Sequence, residues 1–303
     1  MEPQARQRIG LIGVDLMGHG IAFNIQKHGH PLAVLAHAGN QSIDDLVAGG
    51  ATVHGTPAEL AAAVDVVLLC VTGTPQVEAV LLGEGGALGA LRAGGVVIDC
   101  STAIPASTER LAARVAEAGG RFMDAAMTRT PKEAAEGRLN LLVGADDALF
   151  AQCRPLLACF AENITHVGPV GAGHRMKLLH NYVSLGSVAL IAEAAACAER
   201  AGVDPRVFVE VLGKGGGGGT ALERLKPFLL ERDPNGLRFS LTNALKDLGY
   251  YTAMAQDSQA ARAIAEGVRR TLEDAVAQDA GGQALVPELV AMLAQRGAGD
   301  AAA

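Results

Sequence analysis

The stretch G-P-V-G-A-G-H-R-M-K-L-L-H-N, Gly168 to Asn181, combines residues that could do chemistry. Lys177 and Asn181 stand at i, i+4 and share one face of any helix formed there. A lysine in the first turns of an apolar helix is costly unless it has a partner or a task. Desolvation draws an ammonium pKa from ~10.4 toward ~7–8, where it exchanges a proton with a hydroxyl or a carbonyl. An amide one turn on could hold the same oxygen. The plainer alternative is a lysine whose stem lies along the helix edge with its charge in water.

A second chemical pattern opens the chain: G-L-I-G-V-D-L-M-G, Gly10 to Gly18. A strand, a tight glycine turn and a helix N-terminus bind a pyrophosphate through backbone N–H groups and the helix dipole. Gly13, Leu16, Met17 and Gly18 are the candidate contacts. Asp15 stands where a glycine normally lets the backbone approach the phosphates. At ~6 Å and an effective dielectric of ~20, its charge would cost roughly 3 kcal/mol per phosphate charge before screening. Asp15 is therefore expected to weaken binding, and a plain strand–helix turn stays open beside the phosphate reading. The second strand runs into L-A-H-A-G-N-Q-S, without the acid that grips a ribose 2′-hydroxyl or the Arg that holds a 2′-phosphate. His37 lies about where the acid would be. The pattern admits NADP or NAD and leans to NADP.

These groups need a frame. Arg8–Gly13 and Leu32–Ala36 read as short strands, with a helix over Met17–Gly29 between them. Thr56, Pro57 and Glu59 supply an N-cap, a proline at N1 and an acid at N3. The continuous apolar runs Val64–Val71 and Gly95–Cys100 belong to strands covered on both faces, hence to a parallel sheet. Val71 ends the first run and Thr72 follows it; Ser101 and Thr102 follow the second. Val71 and Thr72 are candidate cofactor contacts; Ser101 is a candidate substrate contact. A helix over Ala106–Ala118 follows, then strands at Arg121–Asp124, Leu139–Gly144 and Ile164–Val167. Strand–helix alternation of this kind is α/β: a doubly wound, Rossmann-type domain, placed at 1–167. From 168 to 303 an all-α domain is expected. It begins with a long helix, His174–Ala201, apolar almost all round and therefore buried. Helices over Pro205–Leu212, Ala221–Glu231, Leu241–Ala255, Ala260–Asp279 and Val286–Gln295 follow. Gly215–Gly219 reads as a flexible loop, and the tail from Gly297 as frayed.

Composition narrows the partners. The 303 residues are 50% hydrophobic and 19% charged, which excludes wholesale disorder. A net charge of −7 gives no electrostatic footprint for nucleic acid. Mean hydropathy is +0.25, yet no run of ~20 apolar residues lacks breaks, so no membrane partner is expected. A polar start without a cleavage site suggests a cytoplasmic protein. Five cysteines without C-x-x-C spacing read as reduced thiols, mostly buried, and no metal site is expected.

Four stretches together resemble the β-hydroxyacid dehydrogenases, the 3-hydroxyisobutyrate dehydrogenase-like family. They are G-x-x-G-x-x-x-M-G at the start, D-A-A-M-T-R-T at Asp124–Thr130, G-x-x-G-x-G-x-x-x-K-x-x-x-N at Gly168–Asn181, and K-D-L-G-Y at Lys246–Tyr250. The resemblance implies a dinucleotide-binding domain, a long interdomain helix and a helical domain that helps form a homodimer or homotetramer. It implies Lys177 as acid/base, Asn181 as its substrate-orienting partner, and Thr102 and Lys246 near the cofactor.

The family's substrate segment reads D-A-P-V-S-G-G. Here Ala126, Thr128, Arg129 and Thr130 replace Pro, Ser, Gly and Gly. Thr128 keeps a hydroxyl, and Arg129 adds a planar cation suited to carboxylate or sulfonate. In this it looks like the branch that includes sulfolactaldehyde reductases. Arg129 could instead form a salt bridge with the acids of K-E-A-A-E-G. His180 stands where an Asn is common. The expected function is hydride transfer between NAD(P)(H) and a small anionic 3-hydroxy acid or its carbonyl partner. A nucleotide-binding protein without turnover and an imine reductase-like enzyme are the alternatives.

Overall fold

The computed structural model describes residues 6–279 and 281–295; the tail from Gly297 lies outside the described residues. The chain divides into two compact units, Met1–Lys177 and Leu178–Ala303.

The first unit alternates β1 (Ile9–Ile12), α1 (Leu16–Lys27), β2 (Leu32–Leu35), α2 (Asp44–Ala48), β3 (Thr52–His54), α3 (Pro57–Ala63), β4 (Val66–Leu69) and α4 (Thr74–Leu82). It continues with β5 (Val96–Asp99), α5 (Pro105–Glu117), β6 (Arg121–Thr128), α6 (Pro131–Ala135), β7 (Leu139–Gly144), α7 (Asp147–Leu157) and β8 (Ala161–Gly168). The strands form one sheet in the order β3-β2-β1-β4-β5-β6-β7-β8. All neighbours run parallel except β6 and β7, which pair antiparallel from Asp124↔Gly144 to Thr128↔Asn140.

Burial explains the apolar runs. Along β4, Val66 and Leu68 enter one core while Val67 and Leu69 enter another. β5 splits likewise, with Val96 and Ile98 on one side and Val97 on the other. Residues of alternate direction along a strand thus meet helices on both faces: α1 and α7 through Ile21, Ile25 and Leu149, and α3 and α5 through Leu60 and Leu111. The Thr56 cap is as expected: its hydroxyl accepts from Glu59 N, and Glu59 reaches back to Thr56 N.

α8 (Ala172–Arg200) leads out of the first unit. The second unit adds α9 (Pro205–Lys214), α10 (Thr220–Glu231), α11 (Leu241–Asp257), α12 (Ala263–Gln278) and α13 (Leu289–Gln295). Gly215–Gly219 forms the connection between α9 and α10. α8 is long and apolar enough to cross a membrane by length and composition alone. Leu185, Val188, Ala192 and Ala195 instead pack into the helical core with Leu248 and Leu272. The expectation of burial all round is corrected here, because Val183 is 64% and Leu190 71% exposed. A single helix among these neighbours has only one face for them to cover.

Candidate active site

β1 and β4 lie side by side, and the chain leaves them toward opposite edges of the sheet. That reversal opens a crevice beyond their carboxyl ends, the usual ligand position in an open α/β sheet. Gly13 follows β1 at this end of the sheet. It has φ +96°, and a Cβ there would lie 2.1 Å from Cys70 O. Only glycine fits.

Asp15 is the N-cap of α1. Its Oδ1 accepts from Met17 N and Gly18 N, both at 3.0 Å. The carboxylate thus holds two of the amides assigned to a phosphate. Among the described residues, the amides of Asp15 and Leu16 donate to no protein acceptor, and both residues are exposed. A turn with two such amides fits an anion such as a pyrophosphate, and the amides of Met17 and Gly18 would be added if the Asp15 carboxylate turned away.

Sequence reasoning missed Asn40. Its Oδ1 accepts from Val14 N at 3.2 Å and its Nδ2 donates to Leu35 O at 2.8 Å, so it ties the glycine turn to the end of β2. His37 is exposed there, and its Nδ1 accepts from Gly39 N at 3.0 Å. The only sequence signal for Asn40 was an Asn in a turn-forming stretch.

Beyond β4 and β5, Val71 N donates to Ser101 Oγ at 3.0 Å, joining the two loops that carry Val71–Thr72 and Ser101–Thr102. Ser101 N donates to Asp99 Oδ1 at 2.9 Å, and Ser101 is buried. It is a joint between the loops as well as a candidate contact.

β6 delivers Thr128, Arg129 and Thr130. Thr128 is partly exposed. Arg129 has φ +83°, a left-handed conformation that suits the glycine of related segments. Its Nη1 donates to Glu162 Oε2 at 2.5 Å and to the Arg138 carbonyl. The partner is thus Glu162 of β8, not an acid of K-E-A-A-E-G. Among the described residues, its Nε and Nη2 make no hydrogen bond. Thr130 donates through its hydroxyl to Glu133 Oε2 at 2.5 Å, and its N–H donates to the same oxygen at 3.0 Å, closing the start of α6.

Lys177 donates from Nζ to Met127 O at 2.7 Å, the carbonyl just before Thr128. Lys177 and the Thr128 segment are therefore brought together. Asn181 follows one turn along α8 and belongs to the second unit. There it is 8% exposed, and its Nδ2 donates to Asp247 Oδ2 at 2.6 Å. Asp247 is buried, with Lys246 Nζ 3.3 Å from its Oδ1. Lys246 and Asn181 are thus joined through Asp247, which sequence reasoning quoted in K-D-L-G-Y without a role. Among the described residues no cluster of His, Cys, Asp and Glu could hold a metal ion.

A doubly wound sheet with a glycine turn at its switch point defines a dinucleotide-binding class. Residues 8–168 match the family described as the NAD binding domain of 6-phosphogluconate dehydrogenase. Residues 171–293 match that described as NAD-binding of NADP-dependent 3-hydroxyisobutyrate dehydrogenase. The chain is 33% identical to 2-(hydroxymethyl)glutarate dehydrogenase of Eubacterium barkeri, over 80% of each chain. It is 35% identical to 2-hydroxy-3-oxopropionate reductase of Escherichia coli K12, over 65% of this chain and 67% of the relative. Among solved structures, Mycobacterium tuberculosis 3-hydroxyisobutyrate dehydrogenase with L-serine matches with a TM-score of 0.84 at 24% identity. That match covers 95% of this chain and 99% of the other, and shows the shared fold. The chain belongs to the β-hydroxyacid dehydrogenase family. It is an NAD(P)-dependent oxidoreductase that transfers a hydride between a nicotinamide and a small hydroxy acid or its carbonyl partner.

Proposed function

We propose that this enzyme interconverts a small anionic 3-hydroxy acid and its aldehyde, with Lys177 as the acid/base. The hydrogen bond from Lys177 Nζ to Met127 O carries the reading, because it sets the amine beside the Thr128–Arg129 segment. Oxidation takes a hydride from the alcohol carbon and a proton from its hydroxyl. The bound nicotinamide supplies the hydride acceptor. Lys177 Nζ takes the proton, and the C–O bond becomes the carbonyl; reduction returns both. Asn181 would hold the substrate oxygen through its amide. Thr128 and the Nε–Nη2 edge of Arg129 would hold the carboxylate. Gly13, the amides of Leu16, Met17 and Gly18, and the segments at Val71–Thr72 and Thr102 would hold the cofactor, with Lys246 beside it. No acid follows β2 between Ala36 and Gly39, which supports NADP(H) over NAD(H). A cytoplasmic homodimer or homotetramer is the assembly we infer. The exposed Val183, Leu190 and Ile264 of the second unit support it.

Turnover of 3-hydroxyisobutyrate, L-serine, 2-(hydroxymethyl)glutarate and 2-hydroxy-3-oxopropionate, with NAD(H) and with NADP(H), tests this reading. Lys177→Ala should lower kcat by at least ~10²-fold, the scale for loss of a general acid–base. Cofactor affinity, read by fluorescence titration, should stay within about twofold, since acid–base loss acts on the chemical step. Turnover near wild type in Lys177→Ala would remove the mechanism.

A further inference from the structure

His174 is wholly buried, and the mechanism above gives it no role. It lies three residues before Lys177, in the first turn of α8. Its ring reaches two elements at once. Nε2 lies 3.1 Å from Ser101 O, and a carbonyl only accepts, so Nε2 carries the proton and donates. Nδ1 lies 2.7 Å from the hydroxyl of Thr108 on α5. The backbone of the same residue is also held: His174 N donates to Asp124 Oδ2 at 2.8 Å, while Gly171 N donates to Asp124 Oδ1 at 2.7 Å.

Two carboxylates flank the ring. Asp124 Oδ2 is 4.0 Å from Nδ1, and Asp99 Oδ2 is 3.9 Å from Nε2. All three side chains are fully buried, and Asp99 Oδ2 has no hydrogen-bond partner. Burying two carboxylates is expensive, and such an arrangement persists only where the surroundings hold it together. The close fit is built into the backbone as well. A Cβ on Gly173 would lie 2.4 Å from Leu142 O and 2.7 Å from Asp124 Oδ2.

We infer that His174 is a positioning residue that locks the helix carrying Lys177 to the loop carrying Ser101 and Thr102. Asp99 grips that loop at Ser101 N, and Ser101 Oγ in turn takes Val71 N. His174 therefore sets the proton-transferring amine and the cofactor-side loops in one register. β6 completes the frame, holding α8 through Asp124 at its start and through Met127 O at Lys177. The role rests on Lys177 being the acid/base.

The test compares His174→Leu, His174→Gln, Lys177→Ala and the double variant His174→Leu/Lys177→Ala. Each is assayed on whichever of the four substrates the wild type turns over. His174→Leu should lower kcat by at least about tenfold, a modest misplacement of the reacting groups. His174→Gln, whose amide can still donate to Ser101 O, should recover most of it. In the Lys177→Ala background His174→Leu should cost less than about twofold further, because groups acting as one unit are not additive. The same factor in both backgrounds would make His174 merely structural and overturn the inference. Wild-type turnover in His174→Leu beside an inactive Lys177→Ala would overturn it while leaving the proposed function intact. An active Lys177→Ala would instead sink the proposed function. Amide exchange supplies a readout without substrate: His174→Leu should speed exchange over both 99–104 and 171–177, and loosening of 171–177 alone would refute the link. If His174→Leu does not fold, Thr108→Val takes its place in every measurement, with the same outcomes deciding.

Discussion

Among the helix N-termini of the first unit that aspartates cap, those of α1 and α8 are built oppositely. At α1, Asp15 caps its own helix: exposed, two and three residues from the amides it accepts from. At α8, Asp124 caps from strand β6, fully buried and 47 and 50 residues away from Gly171 and His174. Water can replace the first carboxylate, so it can rotate off and release its helix end to a phosphate. Nothing can replace the second, so the first turn of α8 stays fixed to β6. Burial raises the pKa of the Asp124 carboxyl, partly offset by His174 and by the two amide hydrogen bonds. Under the proposed function, the α1 turn benefits from a cap that can leave, and Lys177 on α8 from one that cannot.

The largest effect should fall on the buried cap. Asp124→Ala strands two buried amides and removes a neighbour of His174. A loss of about 3–5 kcal/mol is expected, the range for breaking a buried polar cluster by deleting one partner. Asp15→Ala should cost only ~1 kcal/mol, as local N-caps do. Urea unfolding of both variants measures the gap, and equal losses would erase the distinction between the two ends.

The same contrast explains what could be read from the chain. The strands with continuous apolar runs, the Thr56–Glu59 cap and the long helix bearing Lys177 are local patterns, and each element lies where expected to within a few residues. β3 is three residues long and largely exposed, so no periodicity marks it. α7 carries Pro155 inside, which reads as a break. β6 extends four residues past the expected end at Asp124, because A-A-M-T pairs with β7. That partner is set by tertiary structure. The local cap of Asp15 was within reach of the sequence, since an Asp ahead of a helix is an N-cap signal. The Asp99–Asp124–His174 cluster was not, for its members lie up to 75 residues apart and meet only through the fold. Glu162, which engages Arg129, was hidden for the same reason.

Releasing the α1 cap should have a smaller effect of a different kind. Asp15→Gly removes a negative charge beside the pyrophosphate position and frees Met17 N and Gly18 N. NAD(P)H should bind tighter by ~1–2 kcal/mol, about 5–30-fold, below the unscreened Coulomb figure because solvent and ions attenuate it. Stability should fall by only a few tenths of a kcal/mol, since glycine is itself a fair N-cap. Calorimetry at low and high salt checks this, and high salt should narrow the affinity difference. Unchanged affinity would show that the carboxylate turns away at no cost when the cofactor arrives. Weaker binding would make Asp15 part of the cofactor site and reverse the comparison.

A third aspartate gives the smallest effect and a control for both. Asp65 takes Arg8 through Nε at 3.1 Å, Nη2 at 2.5 Å and the backbone N–H at 3.0 Å. The hydrogen bonds from the Arg8 side chain lower its pKa to about 2, against the opposing effect of desolvation. A carboxyl whose pKa is depressed in the folded state stabilises above its unfolded value and loses that contribution as pH falls through the folded one. The contribution is therefore complete above about pH 4 and disappears toward pH 2. Both side chains are about 40% exposed, so solvent screening keeps its size below ~1 kcal/mol. Thermal unfolding of wild type and Asp65→Asn should differ by that small amount at pH 7 and converge as the pH is lowered from 4 toward 2. Asp124→Ala should show no such convergence from charge pairing alone, because its amides stay buried and unsatisfied at any pH. If the Asp65 difference held constant to the acid limit, its bond to Arg8 would act through shape rather than charge. Exposed carboxylate pairs would then be no measure of what burial adds at Asp124.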